Sequence, residues 1–313
     1  MPQFIDTRAL NDDARNAAAR EAALQQVSWP QNLAPPTVSY VSHGHVAIVG
    51  PADAIRRAAG RLADSELASV TLIATQEDGD EASDIANAHY IACDAPRLEG
   101  YLGAFRMTAG ENGPLLSKAT IGRDHFDAVL DLGASPLMHY ELPPPGYHRV
   151  TATTSLEQAL GDLQECIGEF EKPRYFQIDA ALCAHAGRGQ SGCTRCLDVC
   201  PADAISSVKQ EIVIDPFRCH GAGSCTSACP TGAIRYALPT PERLDDYITR
   251  LLATYHAEGG DTAVVRFLDQ ETQASEPDAP AGHVLDVPLE ELGAAGLDHW
   301  LGAIARGAAE VRI

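Results

Sequence analysis

Seven of the nine cysteines lie within one short stretch of the chain, between positions 183 and 229. The other two, Cys93 and Cys166, stand alone among apolar neighbours. Thiols at this density bind metal or form disulfides, and an odd, dense set in a chain without a secretory leader favours metal. We therefore expect a metal-binding module in this stretch, and we expect Cys93 and Cys166 to be core thiols.

The cysteine-rich stretch repeats itself with an offset of 29 residues. When CTRCLDVCPADAI is placed over AGSCTSACPTGAI, two cysteines, the proline after the second of them and an Ala-Ile pair coincide. This agreement predicts an internal duplication.

The repeated residues resemble the bacterial two-cluster ferredoxins, in which each half reads C-x2-C-x2-C-x3-C-P. Short C-x2-C loops let several thiolates converge on one cluster, and their amides can donate hydrogen bonds to its sulfides. In that family the fourth cysteine of each half binds the cluster of the opposite half. The resemblance implies iron-sulfur clusters and electron transfer.

The first half departs from the family pattern at Gln190, where a cysteine belongs. We expect Cys183, seven residues upstream, to replace it, with HAGRGQS as a looped insertion that its glycines make feasible. The resemblance then implies a first cluster of the 4Fe-4S type with four ligands, which are Cys183, Cys193, Cys196 and Cys229.

The second half has Ala222 where its second cysteine belongs. The resemblance therefore implies a second cluster with three cysteine ligands, which are Cys200, Cys219 and Cys225. This cluster is either 3Fe-4S, or 4Fe-4S with another ligand such as His220 or Asp215, or it is lost or unstable.

Zinc is the rival metal, because four-thiolate zinc sites also use C-x2-C pairs. The Cys-Pro exits and the x3 spacing in both halves favour iron-sulfur clusters instead. Four isoleucines are expected to pack over the clusters and to exclude water, which tunes the reduction potential; these are Ile205, Ile212, Ile214 and Ile234.

Two flanking segments are expected to position the cluster module. Before it, VAIVG and SVTLIAT read as buried strands around the helix ADAIRRAAGRLADSEL, with further strands in HYIAC, GYLGAFRMTA and FDAVLDLG. The turn GPAD lacks the G-x-G-x-x-G pattern, so we expect a structural or partner-docking unit rather than a dinucleotide or flavin site. His43 and His45 are expected to be turn and surface residues.

The predicted fold class is α+β, with a ferredoxin-like two-cluster domain flanked by two α/β domains. Residues 1–40 form a helical arm and a proline-rich linker, and residues 41–150 the first α/β domain. Residues 151–240 contain the lead-in helix SLEQALGDLQECIGEF and the cluster domain, and residues 241–313 the second α/β domain. Because the hydrophobic strand AEVRI stops abruptly at Ile313, the sequence favours a chain that continues further over one that ends with this strand.

The charge balance limits the partners. With 43 acidic and 23 basic residues, the net charge of -20 repels nucleic acid phosphates and anionic lipids. No apolar run of about 18 residues is present, so we expect neither membrane insertion nor export, and we predict a cytoplasmic protein.

The favoured function is an electron carrier or relay subunit, a component of an oxidoreductase system rather than a stand-alone enzyme. The general resemblance implies redox partner proteins, such as a formate dehydrogenase, a hydrogenase or a heterodisulfide-reductase-like complex. Two alternatives remain open. One is an enzyme that uses an open iron as a Lewis acid, which predicts a pocket beside Ala222 lined by basic side chains. The other is an iron-sulfur assembly or accessory factor.

Overall fold

The computed structural model is a mixed helix and strand structure that describes residues 14–30, 36–76, 88–185, 192–269, 272 and 281–313. The predictions for the first 13 residues, for the middle of the proline-rich linker and for Gln190 lie outside the described residues. Within these ranges, every helix is too short or too polar to cross a membrane.

The described helices are, in chain order, α1 (Ala14–Gln26), α2 (Ala52–Gly60), α3 (Leu116–Ile121), α4 (Leu156–Glu165), α5 (Arg195–Asp198), α6 (Ser224–Ala228), α7 (Pro241–Ala257) and α8 (Leu297–Ala305). The strands of the first part are β1 (Thr37–Ser42), β2 (His45–Gly50), β3 (Ser69–Ala74), β4 (Ala88–Ala92), β5 (Pro96–Glu99), β6 (Arg106–Ala109), β7 (Ala128–Asp131), β8 (Tyr147–Arg149) and β9 (Gly168–Pro173). The later strands are β10 (Phe176–Ile178), β11 (Ile205–Val208), β12 (Glu211–Ile214), β13 (Ile234–Tyr236), β14 (Val264–Asp269), β15 (Val284–Leu289) and β16 (Glu310–Arg312).

A five-stranded parallel sheet organises the part of the chain before the cysteines. Its strand order is β4-β3-β2-β7-β8, and β3 is buried along its whole length. Strands covered on both faces need continuous apolar runs, which SVTLIA provides. Helices α2 and α4 pack on one face, and Leu116 of α3 joins a second apolar cluster with Phe105 and Met107.

An antiparallel ribbon of β1 and β9 links the two ends of this first unit. Thr37 pairs with Pro173, and Ser42 pairs with Gly168. The sequence predicted that the helix after Ser155 would run to residue 170, but α4 ends at Glu165. Gly168 has a positive φ of 131°, and the alternating residues that follow pair as β9 instead. The ribbon brings β9 towards the cysteine-rich segment that follows it.

Other predicted elements of the first unit are present but shorter than expected. The strand expected over residues 100–109 is confined to β6, because Gly100 and Gly103 have positive φ angles of 111° and 79°. The helix expected over residues 52–67 ends at Gly60 and continues as a turn. The strands β2, β3, β4 and β7 are confirmed within a residue or two.

The last part of the chain forms a three-stranded parallel sheet of order β15-β14-β16, covered by α7 and α8. Its predicted helices and strands are confirmed with small differences at their ends. Helix α1 packs against α7, and its residues Ala19 and Ala23 are buried in the same core as Tyr255. Asn16 also accepts a hydrogen bond from the Asp261 backbone at 2.9 Å. The first described helix is therefore part of this C-terminal core.

Candidate metal centre

The two halves of the cysteine-rich segment have matching local structure. Helices α5 and α6 begin 29 residues apart, as do strands β11 and β13. Each half contributes to a two-stranded antiparallel ribbon, β11 with β12 and β13 with β10. The repeat seen in the letters is therefore also a repeat of backbone structure.

The repeat extends to the hydrogen bonds around the last cysteine of each half. The Ala204 amide donates to Cys200 Sγ at 3.3 Å. In the other half, burial opposes ionisation of Cys229, but the amides of Ile234, Thr231 and Ala233 together lower the pKa of its thiol. Amides that stabilise a thiolate are suited to a sulfur that binds metal.

A first group of thiols comes from the predicted insertion and from helix α5. Cys196 is buried, and burial raises the pKa of its thiol, with further contributions from the neighbouring Cys183 and Cys193. Cys229, from the other half, packs in the same apolar cluster as Cys183 and Cys196. The structure thus brings these four cysteines into one region.

A second group of thiols also combines the two halves. Burial raises the pKa of Cys225 to about 12, and the thiols of Cys219 and Cys200 add to this effect. Burial raises the pKa of Cys219 as well, and Cys200 again contributes. Cys200 therefore lies with the cysteines of the half to which it does not belong in sequence.

A cavity of about 350 Å³ lies beside the second group of thiols. All three thiols line it, together with Ala222, His220 and mainly apolar side chains such as Phe176 and Ile214. Among the described residues, no three His, Cys, Asp or Glu side chains are grouped as ligands of a single metal ion. Three free thiols around one apolar cavity fit an iron-sulfur cluster, whose sulfurs favour a shielded environment.

His220 is a polar exception in this cavity wall. Its Nε2 atom is buried and has no hydrogen-bond partner among the described residues. Burial and the nearby Lys172 charge lower the pKa of the imidazole, while the Pro143 carbonyl acts in the opposite direction. A neutral imidazole offers a nitrogen lone pair that can bind iron. Asp215, the other candidate from the sequence, instead accepts a hydrogen bond from the Phe217 amide at 2.9 Å.

The two ends of the predicted insertion are held together. The Cys193 amide donates to the Ala184 carbonyl at 3.4 Å. The buried ring of His185 lies 2.8 Å from the Cys193 carbonyl through Nδ1 and 2.7 Å from Ser207 Oγ through Nε2. His185 thus fixes the backbone of one predicted ligand to strand β11. Sequence reasoning did not single it out, although it lies in the insertion.

The four isoleucines pack as predicted. Ile205, Ile212 and Ile234 are buried in one cluster with Cys196 and Cys225. Ile214 is partly buried, packs against both groups of cysteines and lines the cavity.

Contacts from the first unit reach the loop that precedes Cys219. The rings of Tyr101 and Phe217 stack in parallel, with centroids 4.5 Å apart. The Tyr40 hydroxyl donates to the Phe217 carbonyl at 2.6 Å, and Lys172 Nζ donates to the carbonyls of Phe217 and Cys219 at 2.9 and 2.8 Å. The sequence gave no signal for these contacts, because they join residues far apart in the chain.

The isolated cysteines lie in the first unit, away from these two groups. Cys93 is buried in the apolar cluster around Phe105. The Cys166 thiol donates to the Asp162 carbonyl at 3.3 Å, and burial raises its pKa to about 11. Both have the environment of core thiols.

The turn histidines lie at the start of the sheet. His43 is exposed, and His45 Nδ1 lies 2.8 Å from Ser69 Oγ. At the opposite, carboxyl end of the sheet, a Cβ atom at Gly50 would lie 3.0 Å from Leu132, so the crevice after β2 is filled by protein.

Comparison with known proteins assigns the cysteine-rich segment to a family. The family described as the 4Fe-4S dicluster domain matches residues 191–233. A protein named Ferredoxin 7Fe from Hydrogenibacillus schlegelii is 36% identical over 55 residues, which are 18% of this chain and 70% of that protein. An uncharacterized ferredoxin from Methanocaldococcus jannaschii is 36% identical over 59 residues, 18% of this chain and 77% of its own length.

A third relative is a putative electron transport protein from Escherichia coli (strain K12), 49% identical over 39 residues. The match covers 12% of this chain and 25% of that protein. The fold and the matches define an iron-sulfur protein of the electron-transport class. The chain belongs to the dicluster ferredoxins and has their 4Fe-4S domain within a longer chain.

Proposed function

We propose that the protein is an electron carrier or relay subunit with two iron-sulfur clusters. A 4Fe-4S cluster would be held by Cys183, Cys193, Cys196 and Cys229, and a second cluster by Cys200, Cys219 and Cys225. The observation that carries this proposal is the division of the seven thiols into two groups that each combine both halves of the duplication. When bound, the clusters would accept and release single electrons.

For the second cluster we propose the 3Fe-4S form. The methyl group of Ala222 in the cavity wall offers no ligand for a fourth iron. The relative named Ferredoxin 7Fe supports this form, because seven irons equal one four-iron and one three-iron cluster. The alternative is a 4Fe-4S cluster with His220 as the fourth ligand, and the buried, unpartnered Nε2 atom supports it.

The cavity wall favours electron transfer over Lewis-acid catalysis. An open iron that binds an acidic substrate would need basic side chains beside it. Neither lysine nor arginine lines the cavity, and His220 is its one basic residue within the described part of the chain. The apolar wall instead supports a shielded cluster that exchanges electrons without a bound substrate.

We also propose the surroundings of this reaction. Two α/β domains would flank the cluster domain and select redox partner proteins, for which formate dehydrogenase, hydrogenase and heterodisulfide-reductase-like complexes stay candidates. All nine cysteines are free thiols, which supports a reducing compartment such as the cytoplasm.

Redox titration of the anaerobically purified protein tests the proposed function. We expect two electrons per chain to be taken up in separate one-electron steps, and to be returned rapidly to an added acceptor without loss of iron. An assembly factor would instead transfer its iron to an apo-ferredoxin during the same incubation, and that result would refute the proposal.

A further inference from the structure

Strand β9 places one cationic side chain beside the proposed second cluster. Lys172 Nζ donates hydrogen bonds to the carbonyls of Phe217 and Cys219, at 2.9 and 2.8 Å. Cys219 is a predicted ligand, so the ammonium group contacts the backbone of the residue whose thiol would bind iron. Lys172 lies outside residues 191–233, the segment that matches the dicluster domain.

The position of Lys172 is fixed from several sides. The residue is partly buried on the ribbon of β1 and β9, where it pairs with Val38. Its ammonium group lies 5.3 Å from the centre of the Tyr40 ring, and the Tyr40 hydroxyl donates to the same Phe217 carbonyl. A charge held in this way acts more strongly on its surroundings than a solvated surface lysine does.

The charges that face Lys172 come from the cluster loop. Electrostatic interactions join its ammonium group to Cys219 and to Asp215. Asp215 opposes the positive charge, but its Oδ1 atom is already engaged by the Phe217 amide. Lys172 is therefore the cation of the first unit that contacts this loop through hydrogen bonds among the described residues.

We propose that Lys172 is a positioning residue that raises the reduction potential of the second cluster. The inference rests on the proposed function, because it requires a cluster at Cys200, Cys219 and Cys225. Reduction adds one electron and makes the cluster more negative, so a fixed positive charge stabilises the reduced form more than the oxidised form. The first α/β unit thereby makes the second cluster the more favourable electron acceptor than it would be without Lys172.

The test is a potentiometric titration of both clusters, followed by electron paramagnetic resonance, in the full-length protein. In Lys172→Met we expect the midpoint of the second cluster to fall, while the midpoint of the first cluster changes little. Lys172→Arg, which keeps the charge, should restore most of the potential. The matched control is Lys118→Met, since Lys118 is an exposed lysine of the same unit.

A second variant keeps the test independent of how well Lys172→Met folds. Asp215→Asn removes a negative charge from the same loop and should shift the second midpoint upwards. An unchanged second midpoint in Lys172→Met, with both cluster signals intact, would overturn the inference while leaving the proposed function in place. A wild-type protein without a second cluster signal would overturn the proposed function itself, and the inference with it.

Discussion

The corner of the second cluster depends on a single methyl group at Ala222. It lies in the wall of the cavity that Cys200, Cys219 and Cys225 share, and it replaces the second cysteine of the family pattern. A thiol at this position would restore four ligands to the cluster. We expect Ala222→Cys to convert the 3Fe-4S cluster into a 4Fe-4S cluster.

The measurement for this variant is iron content together with the resonance signal of the oxidised protein. The iron count should rise by one per chain, and the oxidised three-iron signal should disappear. Ala309→Cys, which adds a thiol at an exposed site, is the control and should change neither quantity. An iron count that stays the same in Ala222→Cys would argue against an open corner at this residue.

Cys183 is the least regular of the predicted ligands, since it lies outside the family spacing. It is partly buried, acts on the titration of Cys196 and begins the insertion that His185 helps to close. Replacing its thiolate with a weaker hydroxyl donor should destabilise the first cluster. We expect Cys183→Ser to lose the 4Fe-4S signal and about four irons per chain while it keeps the second cluster.

The matched control for this loss is Cys166→Ser, because Cys166 is a partly buried thiol of the first unit that binds a backbone carbonyl. Its iron content should equal that of the wild type. An intact first cluster in Cys183→Ser would mean that the ligand assignment is wrong.

At the scale of the elements, a close backbone approach joins the loop of the second cluster to the C-terminal unit. Gly223, just before α6, has a φ of 80°, and a Cβ atom there would lie 2.7 Å from Gly293 Cα. Thr226 Oγ1 also lies 3.4 Å from the Gly293 carbonyl. Gly223→Ala must therefore either strain the loop or separate it from the C-terminal unit.

We expect Gly223→Ala to weaken the retention of the second cluster, measured as the rate of iron loss to a chelator under anaerobic conditions. Gly232→Ala is the control, because Gly232 also has a positive φ, of 64°, but open space around its Cα. Both variants carry the left-handed backbone cost of about 1–2 kcal/mol. Equal rates of iron loss in the two variants would exclude a role for the contact with Gly293.

The elements show what a sequence can and cannot predict for this fold. The 29-residue repeat predicted two equivalent halves, because the same letters create the same local turns, and helices α5 and α6 begin with that offset. The end of α4 was predicted wrongly, since the residues after Gly168 form a strand only through pairing with β1. The position of Lys172 on that strand was hidden for the same reason.

At the scale of the whole molecule, the cluster segment contacts both of its neighbours. The first unit reaches it through Lys172 and the stacked rings of Tyr101 and Phe217, and the C-terminal unit reaches it through Gly293. Helix α1 closes the C-terminal core from the far end of the sequence. Local patterns predicted the elements, but these long-range contacts arise only when the chain is folded.

The central claim is that the seven clustered cysteines hold two different iron-sulfur clusters. Electron paramagnetic resonance of the anaerobically purified protein, before and after reduction, with iron quantified on the same sample, tests it most directly. The account predicts seven irons per chain, an oxidised three-iron signal before reduction, and a reduced 4Fe-4S signal after it. Two interacting reduced 4Fe-4S signals with eight irons, or a single cluster with four, would contradict it.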